Sequence, residues 1–167
     1  MTASASFAPH VHTDTRLLIL GSLPGTASLA ARQYYAHPRN QFWRLLGSAI
    51  GQELATIPYP KRLETLAAHR IGLWDVVKSA HRRGSLDSAI RNAENNDLAT
   101  LIASLPDLRA IAFNGGTAHS IGTRQLMGQL TAQGLPAIRL PSSSPAYAAM
   151  AFEAKRDAWL ALRDHLE

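Results

Sequence analysis

The stretch Arg16-Leu-Leu-Ile-Leu-Gly21-Ser-Leu-Pro-Gly25 indicates the fold class of this chain of 167 residues. Its first part is a short apolar run that ends in glycine, which is typical of a strand buried on both faces of a parallel sheet. Pro24 and Gly25 then favour a loop. We therefore expect an α/β domain whose first strand runs over 16–21 and opens into a polar turn.

Three further apolar runs downstream are predicted to be strands, at 71–77, 109–113 and 136–140. Segments with helical spacing alternate with them. These predicted helices cover 40–50, 60–69, 97–105, a stretch from Gly115 or Gly116 to about 131, and a last helix that begins at Pro145. The buried face of the last helix is predicted to carry Phe152, Trp159, Leu162 and Leu166. This alternation predicts a parallel sheet of four strands with helices on both faces.

Residues 1–15 contain no apolar block behind a charged segment, so we expect a flexible tail and no signal peptide. His10 and His12 have a spacing that could bind a metal, but a solvated tail is the simpler interpretation. Residues 16–167 are expected to form a single domain. Because no run approaches the ~18 apolar residues of a membrane span, we expect no membrane partner and a cytoplasmic location.

The balance of charge favours an anionic partner such as nucleic acid. Lys and Arg total 17 against 12 for Asp and Glu, which gives a net charge of +5. The absence of cysteine excludes disulfides, iron–sulfur clusters, thiolate zinc sites and a cysteine nucleophile. We expect a monomer that needs no cofactor and no metal.

A polar loop follows each predicted strand. These loops are 21–25, the segment that begins at Asp75, 114–116 and 141–145. Ligands bind at the carboxyl ends of parallel strands, so we expect the four loops to form one composite site. Asp75 could hold a water molecule or a partner side chain there, or it could simply fix the next loop. Read alone, the 21–25 segment is an ordinary turn.

Two loop residues carry amides that suit either chemistry or local structure. Asn114 could pair with the edge of a nucleobase, because a carboxamide donates and accepts at once, but it also tolerates turn conformations. Asn40 could act in catalysis or cap the helix that starts at Gln41. In the last predicted loop, Ser142, Ser143 and Ser144 together could hold a phosphate, although Ser144 would also serve as a helix cap.

The segment Gln33-Tyr-Tyr-Ala-His-Pro-Arg-Asn-Gln-Phe-Trp43 combines aromatic rings, an amide and a cation. Two adjacent tyrosines in a loop are difficult to bury together, so one of them is a candidate for stacking on a base. A serine hydrolase is an alternative, since serines are predicted at the edge of the sheet. The GxSxG elbow is absent, and no histidine falls in the last strand-to-helix loop, which disfavours it.

The motifs Gly21-Ser-Leu-Pro-Gly25, Tyr35-Ala-His-Pro-Arg-Asn-Gln-Phe-Trp43 and Pro141-Ser-Ser-Ser-Pro145, in this order, resemble the uracil-DNA glycosylase superfamily. The chain is most similar to the hypoxanthine-DNA (deoxyinosine) glycosylase branch, and it also resembles the mismatch-specific uracil and thymine glycosylases. The resemblance implies a three-layer α/β/α sandwich with a central four-stranded parallel sheet, and a repair enzyme that flips out a deaminated base and hydrolyses its N-glycosidic bond.

The resemblance also implies roles for individual residues. Tyr35 takes the position that stacks on the extruded base, and Asn114 the position that reads its edge. Leu23 and Leu140 stand where other branches carry polar catalytic groups, and the deoxyinosine branch implies Asn40 as the catalytic amide instead. We place Ser22 and Leu23 beside the base, and Asp75 as the second candidate for positioning water.

The expected partner is double- or single-stranded DNA that contains a deaminated base. Its phosphates are expected to contact Ser142, Ser143 and Ser144 together with four cations, Arg39, Arg82, Arg83 and Arg139. Two alternatives remain at this point. One is a mismatch-specific glycosylase that prefers uracil, and the other is a non-catalytic damaged-DNA-binding domain of the same fold.

Overall fold

The structure, a computed structural model, describes residues 2–82, 87 and 90–166. Its strands are β1 (Thr2–Ala5), β2 (Leu17–Gly21), β3 (Ile71–Asp75), β4 (Val77–Arg82), β5 (Arg91–Asn95), β6 (Ala110–Asn114) and β7 (Ala137–Leu140). Its helices are α1 (Thr26–Ala31), α2 (Phe42–Ile50), α3 (Tyr59–Ala68), α4 (Leu98–Ala103), α5 (Gly116–Gln133) and α6 (Phe152–Trp159), and α6 continues into a 3-10 helix at Leu160–His165.

The central sheet has the order β3-β2-β6-β7, and all of its neighbouring strands are parallel. Alternate residues of β2 point to opposite faces, as strand geometry requires. Leu17 and Ile19 pack in one cluster with residues of α2, α3 and α6, whereas Leu18 and Leu20 pack in another with residues of α4 and α5. The predicted three-layer sandwich around a four-stranded parallel sheet is therefore confirmed.

The connections of the sheet create a crevice between β2 and β6. These neighbouring strands continue into helices of opposite layers, because β2 leads to α2 and α3 whereas β6 leads directly into α5. Such a point in a parallel sheet leaves open space outside the carboxyl ends of the strands, where ligands bind. Gly21 and Asn114, the last residues of β2 and β6, lie at this opening.

A second sheet, antiparallel and of order β1-β4-β5, was not predicted. The single strand expected at 71–77 is wrong, because β3 ends at Asp75 and the chain turns into β4 at Val77. Val76 and Val77 are consecutive, yet both are fully buried in the same apolar cluster. A straight strand would send them to opposite faces, so the chain bends between them.

The first fifteen residues do not form the loose tail that we expected. β1 pairs with β4, and the backbone of His10 exchanges two hydrogen bonds of 2.9 Å with Leu73. The ring of Phe7 packs edge-on against Tyr34, at 5.2 Å between ring centroids. The rings of His10 and His12 lie 5.4 Å apart between centroids. The described residues contain no group of three or more side chains that could hold a metal ion.

Two helix boundaries also differ from the predictions. The last helix begins at Phe152 and not at Pro145, because Ser144 directs a turn: its hydroxyl accepts from the Ala146 N–H and its carbonyl from the Tyr147 N–H. The short helix α1 begins at Thr26, within the segment 22–27 that we predicted to be a loop. Among the described residues, no helix has both the length and the apolar character needed to cross a membrane.

We predict that the N-terminal segment contributes to stability through Phe7. Phe7→Ala should lower the free energy of unfolding by about 1–3 kcal/mol, because it removes a half-buried ring from the edge of the core. Thr13→Ala, at an exposed position of the same segment, is the control and should change stability by less than about 0.5 kcal/mol. Urea unfolding measures both values, and equal stability of the two variants would show that the segment does not contribute.

Candidate active site

A cleft of about 740 Å³ lies at the carboxyl edge of the central sheet. Side chains from all four predicted loops line it, which confirms that the sheet brings these loops together. The predicted site residues in its wall are Ser22, Leu23, Tyr35, Asn40, Asp75, Asn114, Arg139, Ser142, Ser143 and Ser144. The volume is ample for a nucleobase and its sugar.

At the head of the cleft, the Asn114 carboxamide is held in one orientation by Ser143. The backbone N–H of Ser143 donates to Asn114 Oδ1 at 2.9 Å, and Asn114 Nδ2 donates to Ser143 Oγ at 2.8 Å. Both residues are buried. If the amide were flipped, its NH₂ group would face the Ser143 N–H, and two donors would be in contact. These contacts therefore fix which end of the amide is oxygen and which is nitrogen. Ser143 leaves one acceptor lone pair and one N–H of this amide unused, and the Tyr35 hydroxyl lies close to the amide.

The same serine connects Asn114 to the loop that precedes α2. Ser143 Oγ–H donates to Asn40 Oδ1 at 2.8 Å, and the Ser143 carbonyl accepts from the Gln41 N–H at 3.0 Å. Asn40 Oδ1 also accepts from the Phe42 N–H at 3.0 Å, so Asn40 does bond to the start of α2. The predicted cap is off by one residue, because α2 begins at Phe42 and Gln41 is its N-cap, so Asn40 forms a turn just before the helix.

The contacts with Phe42 and Ser143 do not use all of the Asn40 side chain. Its Oδ1 has two lone pairs, and both are accounted for by Phe42 and Ser143. Its Nδ2 donates to none of the described residues, while Asn40 lines the cleft. The group that Asn40 can offer to a ligand is therefore an amide N–H donor.

Tyr35 forms one wall of the cleft and is held from behind by Phe42. Their rings are stacked at 3.8 Å between centroids with an interplanar angle of 16°, which leaves the opposite face of Tyr35 as the one that can meet a ligand. The backbone of Tyr35 has φ of +56°, a conformation unfavourable for a non-glycine residue and most common at functional sites.

The Tyr35 hydroxyl is buried and forms no hydrogen bond of good geometry with the described residues. A Cβ at Gly21 would lie 2.7 Å from both this hydroxyl and Asp75 Oδ1, so only glycine fits between them. Burial, and to a lesser extent the charge of Asp75, raises the pKa of Tyr35, against a smaller opposing effect of the Asn114 side chain. Tyr35 is consequently neutral in the physiological range.

The polar floor of the cleft is formed by Asp75, with Ser22 and Leu23 beside it. Asp75 is buried at the end of β3, and its backbone carbonyl accepts from Asn96 Nδ2 at 2.8 Å. Leu23 is buried in the apolar cluster that faces α4 and α5. Ser22 Oγ–H donates to Asp87 at 2.6 Å. Asp87 also lines the cleft, and it was not among the predicted site residues.

The predicted DNA-contacting cations are only partly gathered at the cleft. Arg139 lines it, and its guanidinium lies against Gly116, the first residue of α5. Arg39 is exposed and lies outside the lining, although its N–H donates to the cleft residue His37. Arg83 and the side chain of Arg82 lie outside the described residues, so their phosphate contacts stay predictions.

Lys155 is a further residue near the site that was not predicted. It is 2% exposed, and its Nζ donates to Gln41 Oε1 at 3.1 Å and to the Tyr147 carbonyl at 2.7 Å. A signal was present in the sequence, because Lys155 lies three residues after Phe152 and four before Trp159, on the face predicted to be buried. A lysine on an apolar face needs polar partners.

We predict that Ser143→Ala destabilises the protein by about 1–3 kcal/mol, because it leaves the buried Asn114 Nδ2 without the acceptor that it now contacts. Ser142→Ala is the matched control. The Ser142 hydroxyl accepts only from the Ser144 N–H at a half-exposed position, so its loss should cost less. Urea unfolding of both variants tests this, and an equal loss would contradict the central role of Ser143.

Comparison with known proteins was made on sequence and on structure. Residues 8–163 match the model of the uracil DNA glycosylase superfamily. Two similar proteins are named hypoxanthine DNA glycosylase, from Methanosarcina barkeri and Methanosarcina acetivorans, and are 49% and 51% identical to this chain. These matches cover 65% and 63% of this chain, and 69% and 66% of the respective relatives.

A solved structure has the same architecture over nearly the whole chain. It is a solution NMR structure of a candidate uracil DNA glycosylase from Methanosarcina acetivorans, with 41% sequence identity and a TM-score of 0.84. The similarity covers 99% of each chain. Because the family model and this structure both extend across the sandwich and its cleft, the chain belongs to the uracil DNA glycosylase superfamily.

Proposed function

We propose that this protein is a monofunctional DNA glycosylase of base excision repair that flips out a deaminated base and hydrolyses its N-glycosidic bond. The observation that carries the proposal is the fixed orientation of Asn114 at the head of the cleft. Hypoxanthine is the base that we favour, because two relatives at about half identity are named for it. The protein would act as a monomer on double- or single-stranded DNA in the cytoplasm.

A fixed amide discriminates between bases before and after deamination. Adenine and cytosine present an acceptor ring nitrogen beside an amino donor, whereas hypoxanthine and uracil present a ring N–H donor beside a carbonyl acceptor. The remaining lone pair of Asn114 Oδ1 and the remaining N–H of its Nδ2 complement the deaminated edge. An amide that could flip would accept both patterns, and Ser143 prevents the flip. Guanine shares the deaminated edge, but its stable pairing with cytosine keeps it in the helix.

Stacking on the ring of Tyr35 would be the second contact that holds the extruded base. The free face of Tyr35 suits a base of either size, because every base has a π-face, and Phe42 prevents the ring from swinging away. The neutral hydroxyl of Tyr35 adds no charge that would oppose a departing anion.

The bond between C1′ and the base nitrogen would break first, leaving positive charge on the sugar and negative charge on the base. A water molecule then adds its oxygen to C1′, and its proton is released. An amide cannot remove that proton at neutral pH. We propose that Asn40 Nδ2 holds the water oxygen while the Asp75 carboxylate accepts one of its hydrogens, and that Asn114 stabilises the leaving base.

Contacts with the DNA backbone would come from residues 141–145, here called the serine loop, and from the cations at the edge of the cleft. The hydroxyls of Ser142 and Ser144, with Arg139 beside the start of α5, suit a phosphate that follows the flipped nucleotide. Arg39, on the exposed side of the same edge, would meet a more distant phosphate.

Two alternatives are each favoured by an observation. A glycosylase that prefers uracil would use the same edge of Asn114, so the amide does not separate the two substrates. A non-catalytic damaged-DNA-binding domain is favoured by the apolar Leu23 and Leu140 in the wall of the cleft. Base release from matched oligonucleotides with one inosine, uracil or xanthine tests both. Release of hypoxanthine supports the proposal, uracil release alone supports the first alternative, and binding without any release supports the second.

We predict that Asn40→Ala slows single-turnover release of hypoxanthine by about 10²–10³-fold, the usual loss for one preorganised polar group. Affinity for the lesion should change little, because the contact with water forms mainly in the transition state. Thermal melting of the same variant is the control for its bond to α2. A destabilised variant whose folded fraction keeps the full rate would assign Asn40 to local structure alone, and Asp75 would then hold the water.

We also predict that Arg139→Ala weakens binding to undamaged duplex and reduces the slope of log affinity against log salt by about one unit. Arg124→Ala is the matched control, since Arg124 is exposed on α5 but does not line the cleft. Fluorescence anisotropy at several salt concentrations gives both slopes. An unchanged slope for Arg139→Ala would remove this residue from the DNA interface.

A further inference from the structure

Lys155 is a buried cation whose hydrogen bonds all go to neutral groups. It is 2% exposed, and among the described residues its Nζ contacts Gln41 Oε1, the Tyr147 carbonyl and, at 5.1 Å from the centroid, the Tyr147 ring, but no carboxylate. Burial lowers the pKa of Lys155, which indicates that the charged form is penalised there. An unbranched apolar residue of similar length would avoid this penalty. What Lys155 does at this position therefore depends on the contacts of its ammonium group.

The two acceptors of Lys155 lie on the two chain segments that meet at the site. Gln41 follows Asn40 directly, and its own N–H donates to the Ser143 carbonyl at 3.0 Å. Tyr147 lies four residues beyond Ser143, in a segment with no helix or strand of its own. One ammonium group thus spans the contact at which Asn40 and Ser143 share a hydrogen bond.

Helix α6 holds the serine loop at a second point, one turn further along. Trp159 Nε1 donates to the Pro141 carbonyl at 3.0 Å, and Trp159 is completely buried. Lys155 and Trp159 are four residues apart, so they project from the same face of α6. The helix therefore fixes the loop on both sides of Ser143. Trp159 also packs edge-on against Phe42, at 5.6 Å between ring centroids, but of the two residues only Lys155 forms a hydrogen bond on the Asn40 side.

We propose that Lys155 is a positioning residue for base release: its bonds to Gln41 and Tyr147 hold Asn40 against Ser143, although Lys155 does not line the cleft. This inference rests on the proposed function. It differs from an ordinary stabilising role in one respect, because removal of the ammonium group should slow the chemistry of the folded protein, besides leaving its two acceptors without a donor.

The test uses Lys155→Met in the full chain, with hypoxanthine release from an inosine duplex under single-turnover conditions. We expect a loss of about 10-fold in the rate of the folded protein, a typical coupling between residues of one network, with a melting temperature that stays above the assay temperature. Gln41→Leu removes the same hydrogen bond from the other side and should give a similar loss, and the double variant should be no slower than the single ones. Lys61→Met, at a position 66% exposed on α3, is the control.

Dependence on Asn40 separates positioning from a general effect. In an Asn40→Ala background, Lys155→Met should change the rate by less than about 2-fold, because the group that it positions is gone. Loss of stability with a full rate, or an equal slowing in the Asn40→Ala background, would overturn the inference.

Hydrogen exchange decides the inference even if the proposed function fails. In Lys155→Met, the amide protons of Gln41 and Ser143 should exchange faster than in the wild type, because the contact between their segments loosens. Unchanged exchange would overturn the positioning role, whereas a wild-type protein that releases no base would overturn the proposed function alone.

Discussion

The buried hydroxyl of Ser143 accepts from Asn114 and donates to Asn40, and the arrangement of the cleft depends on this pair of hydrogen bonds. Asn114 ends a strand, Asn40 precedes a helix and Ser143 lies in a loop, so three distant parts of the sequence meet at one oxygen. Because each amide uses its oxygen or nitrogen in a defined way, the groups left for a ligand are also defined. Specificity thus begins in contacts that the ligand does not make.

The central sheet supplies the rigidity that this arrangement needs. Every residue of β2 and β6 is buried, so Gly21 and Asn114 end strands that are fixed on both faces. The loops are then tied to one another where secondary structure ends, by Ser143 on one side and by the Phe42 and Tyr35 stack on the other. Three unfavourable features lie there: the left-handed backbone conformation of Tyr35, the buried ammonium group of Lys155 and the buried carboxylate of Asp75. This is the expected location of strain in a protein that binds and reacts.

Much of this could be predicted from the sequence, for physical reasons that differ between elements. The four parallel strands are apolar runs bounded by turns, and the order of the motifs led to the family. The antiparallel sheet β1-β4-β5 could not be predicted, because β1 and β5 are short and polar and form only through pairing with β4. The orientation of the amides was also beyond the sequence, since it depends on Ser143 contacts across 29 and 103 residues. Lys155 shows a signal that helical periodicity contained and that was not used.

The fixed Asn114 amide is proposed to select the deaminated edge of the base. The most direct test compares duplexes in which either inosine or adenine lies opposite cytosine. Inosine pairs well with cytosine, whereas adenine opposite cytosine is a mismatch that flips more easily. If the edge decides, single-turnover release of hypoxanthine should exceed release of adenine by about 10–100-fold, the discrimination of a good bidentate contact. If ease of flipping decides, adenine will be released as fast or faster, and that result would contradict the account.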